Sequence, residues 1–382
     1  MHLLGEARPC YVPGAMTKTT EAQAASKKRI AVIPGDGAGV DVTTEAVKVL
    51  RAASAASGLA LELEHFDWSA DRYLRDGTTL PEGAAKMLPE KFDAILFGAL
   101  GDPRVKDNRH AADILLGLRF QLDLYVNARP CQLLDARLTP LRDRAERDLD
   151  FIIFRENTED LYVNIGGVFK RDTPDEVAIQ EQMNTRKGVE RILRYGYEYA
   201  RRKKLSRLCM TDKSNAIPHG HGLWQRVFAQ LRAEYPGIES RHLYVDALAA
   251  EMVRDPSQFQ VIVAPNLLGD ILSDLGAQLV GGMGVAPSGN IHPRKIGLFE
   301  PVHGSAPKIA GKNLANPVGS VLSSAMMLEE IGCPAEAEAI RRAVEASVRD
   351  GKTTSDLGGA MGTREVGDWL ADRVARHGVP GK

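Results

Sequence analysis

Apolar and polar positions switch between two periods along most of the chain. Arg29–Ile33, Phe92–Phe97, Leu149–Phe154, Leu208–Thr211 and Val261–Ala264 are short apolar runs, each stopped by a polar or glycine turn. Leu59–Phe66 alternates residue by residue. These read as strands. Between them, Val42–Ser57, Thr185–Arg202, Gly222–Glu234, Pro317–Ile331 and Ala335–Asp350 repeat apolar residues at helical spacing. Strand and helix in alternation predict an α/β fold, a largely parallel sheet covered by helices. At 382 residues, two domains of about 150 residues each are expected. No linker separates them. Asn127–Pro130 and the glycines around 281–284 are the best crossing points. They give a first domain of residues 29–125 plus 281–382, holding both ends, and an inserted second domain of residues 126–280. Residues 1–28, rich in Thr, Ala, Lys and Glu, read as a flexible leader within which Met16 is a second candidate start.

Composition narrows the function classes. Lys+Arg is 49 and Asp+Glu is 50, a net charge of −1, so there is no electrostatic footprint for nucleic acid or an anionic membrane. No apolar run approaches the roughly 18 residues of a membrane span. Cys10, Cys131, Cys209 and Cys333 are far apart and form no C-x-x-C pair, which reads as reduced thiols in a cytoplasmic protein.

Several residues suggest chemistry. Gly35, Gly37 and Gly39 stand where the first strand meets the first helix, a place that can hold phosphate. A dinucleotide fingerprint needs glycine at position 40, which is Val40, so a plain tight turn weighs as much. Asp270 and Asp274 are four apart and share a face near a helix N-terminus. They suit a hard divalent cation, although acids favour helix N-termini on electrostatic grounds alone. The apolar strand 261–264 running into them favours the cation, since buried acids need a partner. Arg119, Arg129 and Arg155 lie in apolar surroundings. They fit a di- or tricarboxylate substrate, or else structural pairs with Asp123 or Glu156. Lys213 and Tyr162 follow strands and could move protons, or simply pack. His219 and His221 have no third ligand and read as a solvated turn.

In combination these residues resemble the β-decarboxylating dehydrogenases, the family of 3-isopropylmalate, isocitrate, homoisocitrate and tartrate/D-malate dehydrogenases. The likeness runs from Arg29 to the C-terminus. It rests on Ile33–Gly37, Leu118–Arg119, Leu124–Pro130, Arg155–Tyr162, Asp212–Asn215, Val245–Ala247, Asn266–Asp274, Phe299–Pro307 and Asn316–Pro317, in that order. The resemblance implies the isopropylmalate dehydrogenase-like two-domain fold, which is not a Rossmann fold, and a homodimer with shared active sites. It implies that Arg119, Arg129 and Arg155 grip the carboxylates of a hydroxy-dicarboxylate. Asp270 and Asp274, with Asp246 of the second chain, bind Mg²⁺ or Mn²⁺, a Lewis acid for the decarboxylation. Lys213 of the second chain helps take the hydroxyl proton, hydride goes to a nicotinamide, and Tyr162 helps protonate the enol. Glu300, His303, Gly304, Ser305, Ala306, Lys308 and Asn316 belong to the cofactor loop. A non-catalytic regulatory subunit of such an enzyme would have lost some of Tyr162, Lys213, Asp246, Asp270 and Asp274, and all are present.

Substrate and cofactor are the finer questions. Isocitrate enzymes carry Ser and Asn ahead of the first substrate arginine, where this chain has Asp113 and Leu115. Leu115 and Leu116 make an apolar wall suited to 3-isopropylmalate, because such a wall leaves a γ-carboxylate unpaired. Against this, Arg155–Glu159 is closer to isocitrate and tartrate enzymes, and Phe66–Ser69 and Val177–Glu181 look like the tartrate/D-malate branch. The expected order is therefore 3-isopropylmalate, then D-malate or tartrate, then isocitrate or homoisocitrate. NAD-using relatives place an acid where this chain has Lys308. The stretch Thr354–Gly359 offers no Tyr or Arg for a 2′-phosphate. NAD is the expected cofactor, with some NADP use.

Overall fold

The computed structural model describes residues 27–380. The expected leader, with Met16 and Cys10, lies outside the described residues, except that Lys28 already opens the first strand. In chain order, β1 (Lys28–Gly35) leads to α1 (Ala38–Ser57), β2 (Leu61–His65), α2 (Ala70–Asp76), α3 (Ala84–Lys91) and β3 (Ala94–Ala99). A short α4 (Arg109–Ala111) runs through a π-turn, Ala112–Leu116, into α5 (Gly117–Gln121). Then come β4 (Val126–Gln132), β5 (Asp150–Glu156), the hairpin β6 (Asp160–Phe169) and β7 (Val177–Met183), and α6 (Arg186–Arg202). They are followed by β8 (Arg207–Asp212), α7 (Gly220–Glu234), β9 (Glu239–Tyr244), α8 (Val245–Arg254), β10 (Val261–Ala264) and α9 (Asn266–Leu279). The chain ends with β11 (Pro287–Ile291), β12 (Gly297–Pro301), α10 (Val318–Glu330), α11 (Pro334–Arg349) and α12 (Thr363–His377).

Ten strands form one sheet in the order β2-β1-β3-β12-β11-β4-β5-β10-β8-β9. Each flank is parallel, β2-β1-β3-β12 on one side and β5-β10-β8-β9 on the other. The seam between them is antiparallel through β12-β11-β4-β5. Periodicity missed the two middle strands of that seam. β11 reads Pro-Ser-Gly-Asn-Ile and β4 contains Asn127, Arg129 and Pro130, residues of poor strand propensity. Pairing on both sides holds them in place. The crossing points expected between domains fall on β4 and just ahead of β11.

Core packing differs between the two faces. On one face a continuous cluster runs under α1, α6, α7, α10, α11 and α12, from Ile30 and Leu96 through Phe299 and Ala128 to Phe154 and Val263. The other face has two separate cores. Ile33, Phe97 and Leu298 pack with Leu88, Ile114 and Leu118. Phe151, Ile153 and Ile262 pack with Leu248, Met252 and Leu272. The gap between them lies over the seam, where inward positions are polar. The hairpin β6–β7 forms its own two-stranded sheet and exposes Ile165, Val168, Phe169, Val177 and Ile179.

The glycine turn after β1 is a packing device. Gly37 has φ of 56°, and a Cβ there would lie 2.3 Å from the Ser305 carbonyl oxygen. That carbonyl accepts the Ala38 N–H at 2.7 Å, so the start of α1 is closed by the chain itself. Between the glycines, buried Asp36 accepts the N–H groups of Ala70 at 2.7 Å and Gly101 at 2.9 Å, with His110 Nε2 at 2.8 Å. Asp36→Ala would leave these donors buried and unpaired. It is expected to lower the free energy of unfolding by about 3 kcal/mol, read from denaturant midpoints.

Candidate active site

Alternation along the seam strands sends Asn127 and Arg129 of β4, Arg155 of β5, Ser288 and Asn290 of β11 and Glu300 of β12 into the gap between the two cores. All are buried. Asn127 Nδ2 bonds Ser288 at 2.8 Å and Asn290 at 3.1 Å, and Asn290 bonds Glu300 at 2.8 Å. Arg119 reaches in from α5 and pairs with Glu300 at 2.9 Å. The three arginines do pair with acids of the chain, but neither Asp123 nor Glu156 is among their partners. Asp123 belongs to Arg191, at 2.9 Å.

Asp270 is the centre of the cluster. Its Oδ1 accepts a short bond from Arg155 and lies 3.1 Å from Arg129 Nη1, and its Oδ2 accepts the Tyr162 hydroxyl at 2.8 Å. One turn on, Asp274 lies 3.3 Å from the same Arg129 nitrogen, which also donates to Ser273 at 2.7 Å. Arg155 donates from Nε to Asn266 at 2.7 Å and stands over the Tyr162 ring. Burial alone would raise the Asp270 carboxyl, but the Arg155 and Arg129 charges and the Tyr162 bond hold it below the ordinary value. Burial wins at Asp274, which Arg129 only partly offsets and the Asp270 charge pushes further up. Burial likewise brings Arg155 down to about 10, still charged at neutral pH, and raises Tyr162, which stays protonated. Arg119 Nε and Arg129 Nε are buried with no hydrogen-bond partner. Unpaired donors on buried cations call for an anion.

Lys213 and Asp246 do not join this cluster. Lys213 follows β8, Asp246 opens α8, and the two pair with each other at 2.5 Å. That bond lowers the Asp246 carboxyl. His219 is exposed as the solvated-turn reading expects, but His221 is buried, 1% exposed, and accepts the Lys213 N–H at 2.8 Å. The reading is corrected for His221. The first turn of α7 folds inward, so the ring packs instead of facing water.

The profile described as isocitrate/isopropylmalate dehydrogenase matches residues 29–370. A 3-isopropylmalate dehydrogenase of Corynebacterium kroppenstedtii is 45% identical over 91% of this chain and 99% of its own. A tartrate dehydrogenase/decarboxylase of Pseudomonas putida is 41% identical over 91% of this chain and 98% of its own. The crystal structure of isocitrate dehydrogenase from Methylococcus capsulatus superposes with a TM-score of 0.82 at 36% identity, covering 91% of this chain and 99% of that one. The chain belongs to the isocitrate/isopropylmalate dehydrogenase family.

The family implies a nicotinamide cofactor and a divalent metal, and this chain supplies part of a fitting site for each. For a metal, α9 offers two carboxylates one turn apart, one of them raised by burial, beside arginines that a substrate's carboxylates would engage. Two carboxylates alone make an incomplete hard-cation site. Among the described residues no group of three His, Cys, Asp or Glu side chains is placed to hold a metal. For the cofactor, the loop after β12 holds His303 with Nδ1 against the Gly304 carbonyl at 2.9 Å, leaving Nε2 buried and unpartnered. Burial holds this ring below its ordinary pKa. Nothing stands within 4 Å of where a Gly304 Cβ would be, so the backbone there is open. Ser305 is buried against Gly37, and Ala306 adopts φ of 39°. Asn316 bonds Asp356 at 2.9 Å and caps Val318 at 3.0 Å, so it shapes the loop. Lys308 is exposed. Leu115 is half-buried in the family member's π-turn, one turn ahead of Arg119.

Sequence reasoning missed Asn127, Ser288 and Asn290, and gave Glu156 only as a possible partner of an arginine. The signal was there for Asn290, a polar residue inside an otherwise buried strand. Glu156 follows Arg155 and is 1% exposed. Burial pushes its carboxyl up to about 7, against the Thr158 hydrogen bonds that favour its charge. The folded chain therefore keeps this proton at pH values where the unfolded chain has lost it. Its contribution to stability is full below the ordinary carboxylate range and is lost as pH rises to about 7. Glu156→Gln is expected to flatten the fall in stability across that window, measured by denaturant unfolding at a series of pH values.

Proposed function

We propose that this chain is a metal-dependent dehydrogenase that oxidises and decarboxylates a 3-alkylmalate, 3-isopropylmalate first, with NAD as cofactor. The observation that carries the reading is the arginine cluster. Arg119, Arg129 and Arg155 converge on one gap, and two of them hold an unpaired Nε there. The relatives named 3-isopropylmalate dehydrogenase support the substrate class, and the Pseudomonas putida relative supports D-malate or tartrate as second choice.

In this reading the arginines exchange Asp270, Asp274 and Glu300 for substrate carboxylates, which aligns the hydroxyl-bearing carbon. Asp270 and Asp274, with the partner subunit's Asp246, would hold Mg²⁺ or Mn²⁺. When bound, the cation supplies Lewis-acid stabilisation of developing negative charge, and the nicotinamide accepts a hydride. The partner subunit's Lys213 takes the hydroxyl proton. Tyr162, kept protonated by burial and in contact with Asp270, delivers a proton to carbon after CO₂ leaves. Glu300 on β12 and the loop residues His303, Gly304, Ser305 and Ala306 would face the cofactor, with Lys308 and Asn316 flanking it. A homodimer is part of the reading, because Lys213 and Asp246 sit apart from the cluster. The exposed apolar residues of the β6–β7 hairpin offer a surface for a second copy. Buried Cys131 and Cys209, with thiols pushed up by burial to about 12 and about 11, suit a cytoplasmic enzyme with reduced thiols. Among the described residues no helix is long and apolar enough to cross a membrane.

Measuring kcat/KM for 3-isopropylmalate, D-malate, tartrate, isocitrate and homoisocitrate with each nicotinamide tests the reading. A preference for isocitrate would overturn it. Leu115→Asn is expected to reduce kcat/KM for 3-isopropylmalate more than for D-malate, because only the former buries branched carbons, at ~0.8 kcal/mol each. Equal losses would place Leu115 away from the substrate's side chain. Lys308→Asp is expected to sharpen the NAD preference by about tenfold, equivalent to ~1.4 kcal/mol. The carboxylate would accept ribose hydroxyls and repel a 2′-phosphate. A wild-type enzyme that strongly favours NADP would refute the cofactor assignment.

A further inference from the structure

His221 is a buried imidazole outside the arginine cluster, and its Nδ1 accepts the Lys213 N–H at 2.8 Å. We propose that His221 is a positioning residue that sets Lys213 for its work in the partner subunit's site. The proposal rests on the shared-site reading above.

The contact that carries the proposal is the one at Nδ1, and the Gln182 side chain of β7 packs its amide against the other edge of the ring, 2.8 Å from Nε2. The same amide lies 2.6 Å from Asp160 Oδ1 at the start of β6. Asp160 Oδ2 in turn accepts the Leu267 N–H at 2.8 Å, in the first turn of α9 and three residues ahead of Asp270. Gly220 makes room for this packing, since a Cβ there would lie 2.7 Å from Gln182 Oε1 and 2.9 Å from Asn184 Nδ2. One turn further along α7, Gln225 bonds Asp212 at 2.7 Å, and Asp212 accepts the Ser214 N–H at 3.0 Å. Two successive backbone amides, those of Lys213 and Ser214, are thus held from α7, directly and through Asp212.

A long amine chain is only as well placed as the backbone it leaves. Lys213 carries its ammonium at the end of four methylenes, and the pair with Asp246 fixes only the far end. Nδ1 must be bare to accept an N–H. Burial lowers the His221 pKa, against the charges of Asp160 and Asp212, so the ring favours the neutral form in which one nitrogen is an acceptor.

Two substitutions separate these roles. His221→Leu fills the space and removes the acceptor. His221→Asn places an amide oxygen near the Nδ1 position and keeps it. The expected result is a kcat about tenfold or more lower in His221→Leu, as misplacement of a catalytic group predicts, with KM for substrate within about twofold. His221→Asn should recover kcat to within about threefold of wild type. If Leu prevents folding, His221→Gln, whose amide reaches only the Nε2 position, takes its place with the same expectation. Equal kcat in the Leu or Gln variant and the Asn variant would overturn the proposal.

Subunit mixing supplies the second readout. His221→Leu mixed with Tyr162→Phe should regain activity, because the hybrid has one site with an intact Tyr162 and an intact Lys213 from the other chain. Lys213→Ala mixed with Tyr162→Phe is the control for the shared site itself. Recovery in the control alone overturns the His221 proposal and leaves the shared site standing. Recovery in neither mixture, with subunit exchange shown directly, overturns the shared site and the proposal with it.

Discussion

Positive charge buried in a sheet has to be answered by negative charge within hydrogen-bond reach, and much of this molecule is arranged around that demand. Arg129 and Arg155 project from adjacent antiparallel strands, and Arg119 enters from a short helix across the gap. An unpaired guanidinium in such a place would be very costly. Asp270 and Asp274 on α9 and Glu300 on β12 supply the counter-charge. Three cations and three anions balance. A dianionic substrate and a divalent cation can then enter together without changing the net charge, each taking the protein group of opposite sign. The closed network is therefore also a poised one.

The sheet makes this possible through its change of direction. Two parallel flanks each bury apolar residues on both faces, as parallel sheets must. At the seam the strands turn antiparallel, and the inward positions become Asn127, Arg129, Ser288, Asn290 and Glu300. The core is continuous on one face and divided on the other, so the cleft is simply the division. The π-turn ahead of Arg119 belongs to the same logic. It is an irregularity of the kind found at functional sites, and it carries Leu115.

The second cluster, Lys213 with Asp246, has a different character. It is partly exposed and paired only within itself. Its loop is nevertheless pinned to α7, by His221 Nδ1 and by Asp212 with Gln225. Within this chain the Lys213–Asp246 pair and the arginine cluster remain two separate sets of side chains.

The sequence by itself determined a good deal. Runs of Ile, Val and Leu ended by turn residues marked β1, β3, β5, β8 and β10, and helical spacing marked α1, α6, α7, α10 and α11, because burial on a regular element imposes a period. The spacing of Asp270 and Asp274 placed both acids on one helix face for the same reason. The ordered motifs from Ile33 to Pro317 carried the family. Periodicity did not mark β6, β7, β9 or β12, and it could not show β4 and β11, whose residues are poor strand formers held by pairing on both sides. Nor could it show which acids answer which arginines. Asp123 and Glu156 are near in sequence, yet the partners come from Asp270, Asp274 and Glu300, more than a hundred residues away, because strand order decides who faces whom. His221 makes the same point. Its neighbours in sequence suggest a solvated turn, and only the docking of α7 against β7 and β8 buries the ring and sets Nδ1 on the Lys213 N–H.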